Sequence, residues 1–299
     1  MKIGYPCINW TIGCKGDRTF RLKSYSEERF IETVENNLSC LKKILNFNIK
    51  NNILFFRITS DLIPFASHPV NNFVWQEYFK KDFAEIGDII KNNGIRISMH
   101  PDQFIVLNSI RKDVVKRSIE ELVYHCEVLD LMNLDYTAKI QLHIGGAYGN
   151  KEKAIGSFID NYSLLNDKIK KRLIIENDDK IYSLKDCLYL SNKIRIPVLF
   201  DSFHHSILKN NEKVIDCIKK TSKTWMKKDG IPMVDYSSQE PNMRAGKHAE
   251  KINLNDFKKF INSTKPYDFD IMLEIKDKEK SAIKAVKILK KDIRYLKNI

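Results

Sequence analysis

The sequence predicts an α/β protein, a (β/α)8 TIM barrel that forms one domain over residues 1–299. Three observations predict it. Short β-rich runs alternate with longer amphipathic stretches along the whole chain, the strand-like runs number eight, and no Pro/Gly/Ser-rich linker or low-complexity segment divides them. Alternating strand and helix patterns point to a parallel sheet, and eight strands close a TIM barrel. An open doubly wound sheet is the architectural alternative.

The expected strands, in order, are Lys2–Ile8, Ile53–Thr59, Ile95–His100, Ala138–His143, Arg172–Glu176, Ile196–Asp201, Ile231–Tyr236 and Phe269–Glu274. Helical patterns follow each in turn: Glu27–Leu45, Trp75–Lys91, Val114–Leu131, Glu152–Asn166, Ser183–Ser191, Glu212–Thr221, Leu254–Ile261 and Lys280–Leu296. In the first helix Ile31, Val34, Leu38, Leu41, Ile44 and Leu45 recur at helical spacing and mark a core-facing stripe.

A hydrophobic content of 43% is enough for a sizeable core. No apolar run approaches the roughly 18 residues that a membrane helix needs, and the start Met1-Lys2-Ile3-Gly4-Tyr5 lacks the apolar stretch of a secretory signal. The six cysteines are scattered without a Cys-x-x-Cys pair and do not read as a disulfide framework. A reduced, cytoplasmic setting is therefore expected, nucleoid-associated if the source is bacterial. The formal net charge of +13 favours polyanions, since each neutralised phosphate releases condensed counterions. Genome composition rich in Lys, Asn and Ile is the plainer explanation, so charge alone decides nothing.

The placement of acids and histidines is more informative. The third expected strand ends in His100, the fourth in His143, the fifth in Glu176 and the sixth in Asp201, while Asp235 lies near the end of the seventh and Glu274 ends the eighth. The carboxyl ends of barrel strands converge on one face, where catalytic groups collect. Singly, each of these residues is more often a turn residue or a helix N-cap. Six together would repel one another unless protonated or neutralised by cations. His204 and His248 follow the sixth and seventh strands, whereas His125 reads as a structural or solvated histidine and His205 as one pointing elsewhere. Imidazole mixed with carboxylate is a ligand set for zinc, manganese or iron rather than calcium. The set His100, His143, Glu176, Asp201, His204, Asp235, His248 and Glu274 could hold two or three divalent ions, with Glu176 bridging.

Metals about 4 Å apart suit in-line phosphoryl displacement. A two-metal sugar isomerase is an alternative, but a small polyol gives no reason for the positive charge. A non-catalytic DNA-binding protein would explain the charge and leave the acids and histidines unexplained. Among other features, Gly145-Gly146-Ala147-Tyr148-Gly149 suits a phosphate-cradling loop or a tight strand–helix turn. Arg57, Lys151 and Lys153 are candidates for DNA-backbone contacts, and Trp10 and Tyr148 for base stacking or core packing.

Several segments together resemble the ultraviolet damage endonuclease family. They are Gly4-Tyr5-Pro6-Cys7-Ile8-Asn9, Pro64-Phe65-Ala66-Ser67-His68-Pro69, Ser98-Met99-His100-Pro101-Asp102-Gln103 and Leu142-His143-Ile144-Gly145-Gly146-Ala147-Tyr148-Gly149. Glu176-Asn177-Asp178, Asp201-Ser202-Phe203-His204-His205, Ser238-Gln239, Gly246-Lys247-His248 and Met272-Leu273-Glu274-Ile275-Lys276 continue the pattern in order. The resemblance implies a metal cluster favouring manganese, with zinc or cobalt as substitutes, in a barrel related to endonuclease IV-type abasic-site enzymes. It implies incision of damaged double-stranded DNA immediately 5′ to pyrimidine dimers, 6-4 photoproducts and some other lesions, leaving a 3′-hydroxyl and a 5′-phosphate. An abasic-site endonuclease of the endonuclease IV type is the alternative. A monomer is expected.

The resemblance also implies metal ligation by His100, His143, Glu176, Asp201, His204, His248 and Glu274, and lesion contacts from Tyr5, Asn9, Gln103 and Phe104. His68 matches a motif near the active site, and with Tyr5 and Glu176 it joins the expected catalytic residues. Two departures stand out. Some family members read Lys-x-His near the end of strand seven, where this chain has Met233-Val234-Asp235, and a tyrosine of some relatives is here Phe104. Asp235 shortens the reach of a histidine and adds charge, and Met233 offers no lysine-derived ligand, so the number of ions rests between two and three.

Overall fold

In the computed structural model, which describes residues 1–208 and 211–296, eight parallel strands close into a barrel in sequential order, β1 to β8, with β1 beside β8. The strands are β1 (Ile3–Pro6), β2 (Phe55–Ile58), β3 (Arg96–Met99), β4 (Lys139–His143), β5 (Leu173–Glu176), β6 (Val198–Asp201), β7 (Met233–Tyr236) and β8 (Asp270–Leu273). Each lies within the run expected of it. The closed order excludes the open sheet. No helix of the described residues is long and apolar enough to cross a membrane.

Around the barrel lie α1 (Glu27–Lys50), α2 (Trp75–Tyr78), α3 (Lys80–Asn92), α4 (Lys112–Leu131), α5 (Lys151–Ser163), α6 (Asp167–Arg172), α7 (Leu184–Ile194), α8 (Ser202–Ile207), α9 (Val214–Ser222), α10 (Leu254–Ser263), α11 (Glu279–Leu289) and α12 (Ile293–Leu296). The Ser26 hydroxyl accepts from Arg29 N–H at 3.2 Å and starts α1, a cap worth about 1 kcal/mol. The helix buries Phe30, Val34, Leu38, Leu41, Ile44 and Leu45 against the sheet, each such side chain contributing roughly 1.5–3 kcal/mol.

Two expected helices are broken, and a short extra helix follows a third. Phe79 takes a non-helical backbone that sends its buried ring into the core, and so separates α2 from α3. Asn166 accepts from Ile169 N–H at 2.9 Å and starts α6 where α5 was expected to end. Asp292 accepts from Arg294 N–H at 2.9 Å and divides the last helix into α11 and α12. Hydrophobic periodicity passes through such breaks, because the buried stripe continues on the next segment.

One expectation about cysteine fails. Cys14 and Cys40 form a disulfide, because the loop after β1 folds back over α1 and brings residues 26 apart in sequence to a Cα–Cα distance of 5.8 Å. Cys7, Cys126, Cys187 and Cys217 are free thiols.

The barrel interior is layered. At the amino-terminal end Arg96 and Lys139 bond to Asp270 and Asp229. Above them Phe55, Ile174, Leu199, Met233 and Met272 pack as an apolar plug, closed by Trp225. The third layer is polar again. Because side chains alternate along a strand, Arg57 lies two residues beyond Phe55, Glu176 beyond Ile174, Asp201 beyond Leu199, Asp235 beyond Met233 and Glu274 beyond Met272. Strand parity thus raises one cation and four carboxylates to the same mouth of the barrel.

Candidate metal centre

The register of the sheet sets the acids and histidines side by side. His143 pairs with Glu176 across β4 and β5, and Asp201 with Asp235 across β6 and β7. Past the ladder, side chains extend the pairing. Ser60 Oγ donates to the His100 carbonyl at 2.8 Å, Asn177 Nδ2 to the Asp201 carbonyl at 2.9 Å, Ser202 Oγ to the Asp235 carbonyl at 3.0 Å and Ser237 Oγ to the Glu274 carbonyl at 3.0 Å. In each case a residue on a neighbouring strand or loop grips the backbone of a functional residue. These side-chain bonds add to the ladder in holding the main chain under the site, which limits its freedom to shift.

Three overlapping groups emerge: His100, His143 and Glu176; Glu176, Asp201 and His204; and Asp201, Asp235 and Glu274, with ligand atoms in each group within 4.8 Å of one another. Glu176 belongs to the first two and Asp201 to the last two, so both are placed to bridge. Asp201 also caps α8, its Oδ1 accepting from Phe203 N–H and His204 N–H at 2.7 Å each. Capping thus does not exclude ligation here, because Oδ1 holds the helix and Oδ2 stays free of that work. His248 stands at the edge of the cluster rather than inside a group, its ring 4.9 Å from Phe203 and 6.1 Å from His204.

The imidazoles are oriented from behind. His100 Nδ1 faces the Pro101 carbonyl and His248 Nδ1 the Glu274 carbonyl, each at 2.9 Å, so Nδ1 carries the proton and Nε2 keeps its lone pair. That is the arrangement of metal-binding histidines. His100 Nε2 lies 3.4 Å from Glu176 Oε2. The fit to a cation is tested by what lacks a partner: Asp235 Oδ1 is buried and bonds to no described group. Buried polar atoms are paired in the great majority of cases, so this oxygen awaits an electrophile or a proton.

The electrostatics agree. Burial pushes Asp235 up to about 7 and raises Asp201 well above the usual carboxylate range, with neighbouring carboxylates adding to the shift of each. Burial would raise Glu176 and Glu274 as well, yet His143, His100 and His204 hold Glu176 well below its ordinary value and Arg57 holds Glu274 down to about 2. Four acids cannot all ionise here without more positive charge than the chain supplies. The donor set suits divalent cations.

The other expected site residues fall in different places. Arg57, expected at a phosphate, is 3% exposed. Its guanidinium lies under the cluster, donating to Asp235 Oδ2 at 2.7 Å, Glu274 Oε1 at 2.5 Å and Gln141 Oε1 at 2.7 Å. Gln141 donates onward to Glu176 Oε2, and to Asp235 Oδ2 at 2.8 Å. Sequence reasoning missed this glutamine, although it stands two residues before His143 and so shares its face. Tyr5 is wholly buried and turns outward to α1, its hydroxyl donating to Asn48 Oδ1 at 2.7 Å and accepting from Asn9 Nδ2 at 2.8 Å. Asn9 is also buried, and its Oδ1 accepts from Thr11 N–H at 2.9 Å. Both residues therefore shape the first loop instead of facing the mouth, because β1 parity sends Tyr5 to the helix side. Lys151 is tied down as well, to Asp186 Oδ2 at 2.6 Å and the Ile181 carbonyl at 2.7 Å.

The rim is aromatic. Phe104 is 68% exposed, so it does not pack under its loop, and Gln103 beside it is exposed too. Trp10 and Tyr148 are exposed on neighbouring loops. His68 is exposed and lines a groove of about 490 Å³ with Phe104, Arg117 and Glu121. Its Nδ1 accepts from Val70 N–H at 3.0 Å, which leaves the proton on Nε2. Gly145 has a φ of +112°, and a Cβ there would clash with Asn108 Oδ1, so the turn after β4 requires glycine.

A family model described as UV-endonuclease UvdE matches residues 1–299. The chain belongs to the UV-endonuclease UvdE family. It is 45% identical to a UV DNA damage endonuclease of Clostridium perfringens over 97% of this chain and 71% of that protein. A crystal structure of SacUVDE is 48% identical, covers 100% of both chains and superposes with a TM-score of 0.94. Endonuclease IV from Thermus thermophilus is 12% identical over 87% of this chain and 95% of its own, with a TM-score of 0.57, a likeness of fold alone. Membership of the UV-endonuclease family makes the chain a DNA-repair endonuclease and removes the sugar isomerase alternative.

Proposed function

We propose that the protein incises damaged double-stranded DNA immediately 5′ to UV photoproducts, including pyrimidine dimers and 6-4 photoproducts, by metal-assisted hydrolysis. The observation that carries the proposal is the set of three overlapping carboxylate–imidazole groups at the barrel mouth in a chain of the UV-endonuclease family. His100, His143, Glu176, Asp201, His204, Asp235 and Glu274 would hold divalent ions, manganese first and zinc or cobalt as substitutes, with His248 able to complete a ligand shell from the edge. Bound there, such ions supply Lewis-acid stabilisation of the phosphodiester and acidify the attacking water.

The chain's own residues do the rest. Water adds to phosphorus, the bond from phosphorus to the 3′ oxygen breaks, and that oxygen takes a proton, leaving a 3′-hydroxyl and a 5′-phosphate. Glu176 and Asp201 fix the distance between neighbouring ligand groups. His68 presents its Nε2–H from the groove wall as a donor for a phosphodiester oxygen. Gln103 and Phe104 project above the mouth, where an amide suits an orphaned base and a ring suits the vacated step of the stack. A damaged pair costs less to unstack than a sound one, which supplies part of the selectivity. The net charge of +13 favours docking on duplex DNA through counterion release.

The test is end mapping on a duplex with one defined photodimer. A single nick directly 5′ of the dimer, with a 3′ end that a polymerase extends, is expected. A nick elsewhere, or a 3′-phosphate, would refute the proposed chemistry.

A further inference from the structure

Arg57 sets a permanent positive charge against the underside of the ligand cluster. A guanidinium does not deprotonate in proteins, and this one bonds to Asp235 and Glu274 directly and to Gln141 at 2.7 Å. Gln141 donates to Glu176 and Asp235, so one cation and three carboxylates form a single buried network.

The three ligand groups differ in character. The first two each contain histidine, whereas Asp201, Asp235 and Glu274 form an all-oxygen group. That third group is the one in which Arg57 already binds two of the three acids. Met233, two residues before Asp235 on the same face, lies in the apolar plug and supplies no ligand.

We propose that Arg57 is a resident cation that takes the place of a third divalent ion, so that the centre holds two. One ion belongs to His100, His143 and Glu176. The other belongs to the acids around Asp201 with His204. Asp235 divides its oxygens between them: Oδ2 is kept by Arg57 and Gln141, and the unpartnered Oδ1 is left for the second ion. Charge supports the same count. Four ionised carboxylates, Arg57 and two divalent ions leave one net positive charge, which a phosphodiester neutralises. A third ion would leave three positive charges and press a dication against the guanidinium in a buried site.

The proposal rests on the metal-dependent reading above, and metal content separates the two. The purified chain is saturated with Mn2+, desalted and analysed for bound metal, alongside Arg57→Lys and Arg57→Met, with folding checked by circular dichroism. Two ions per chain are expected in the parent and in Arg57→Lys, and three in Arg57→Met, where the acids lack their cation. Three ions in the parent would overturn the proposal. So would two ions of unchanged affinity in a folded Arg57→Met chain, or fewer than two, which would make Arg57 a brace only. Should Arg57→Met fail to fold, the counts in the parent and in Arg57→Lys decide. No bound metal in the parent would overturn the metal-dependent reading itself.

Discussion

The Asn177 side-chain amide closes on both backbone polar groups of Asp201, accepting from its N–H at 3.0 Å and donating to its carbonyl at 2.9 Å. A side chain here does what the β5–β6 ladder does below it, and it fixes the spacing of Glu176 and Asp201. Asn177→Ala leaves the buried Asp201 N–H unpaired and takes one of two bonds from its carbonyl, which still accepts within α8, at a cost of about 1–3 kcal/mol. The melting temperature should fall by several degrees and bound metal should decrease. Asn177→Asp, which keeps the acceptor, should fall between. Unchanged metal content in a destabilised Asn177→Ala chain would confine Asn177 to a folding role.

Glu176 lies in two ligand groups and is almost fully buried. Glu176→Gln keeps its shape and removes the charge that two cations would share. Turnover on a photodimer duplex should drop roughly a hundredfold or more, near 3 kcal/mol of transition-state stabilisation, and metal analysis should show reduced occupancy. Parent-like turnover together with parent-like metal content would remove Glu176 from the centre.

Much of this site could be read from the sequence for one reason: strand ends in a barrel converge. His100, His143, Glu176, Asp201 and Glu274 each end an expected strand, and the fold gathers them. What lay one position off that logic was harder. Gln141 and Arg57 sit lower on strands β4 and β2, and parity alone would have turned them inward. The fate of a buried guanidinium depends on which acids surround it, however, and that is a tertiary fact. Tyr5 and Asn9 carry a family motif, but the motif does not say which way β1 turns its side chains. The Cys14–Cys40 pairing depends on how a loop lies across α1, which no spacing reveals.

Lesion recognition should separate from chemistry at Gln103 and Phe104. Both are exposed above the mouth and neither belongs to a ligand group. Replacing both with Ala removes stacking worth roughly 1–3 kcal/mol per base. Cleavage of a photodimer should fall steeply, an abasic site should lose less, and metal content should hold. Equal losses on the two substrates would show that this loop does not read the lesion.

His125 offers a test of stability against pH, away from the centre. It is buried in α4, its Nε2 has no partner among the described residues, and burial depresses its pKa from 6.5 to about 4. The unfolded chain binds this proton at higher pH than the folded one does. The stabilisation is therefore complete above pH 6.5 and is lost as pH falls from 6.5 towards 4, to a total of about 3 kcal/mol. In urea titrations at about pH 7.5, above that window, and at about pH 4.5, near its lower end, His125→Phe should lose less stability on acidification than the parent. An identical loss in both would place the acid sensitivity elsewhere.

Metal dependence is the central claim, and stripping and restoring the ions tests it most directly. The protein is dialysed exhaustively against chelator, and nicking of a single-photodimer duplex is followed before and after Mn2+ or Mg2+ is added. Nicking should vanish on stripping and return with Mn2+ far better than with Mg2+, which prefers oxygen and water ligands to imidazole. Full nicking by chain shown to be free of metal would contradict it.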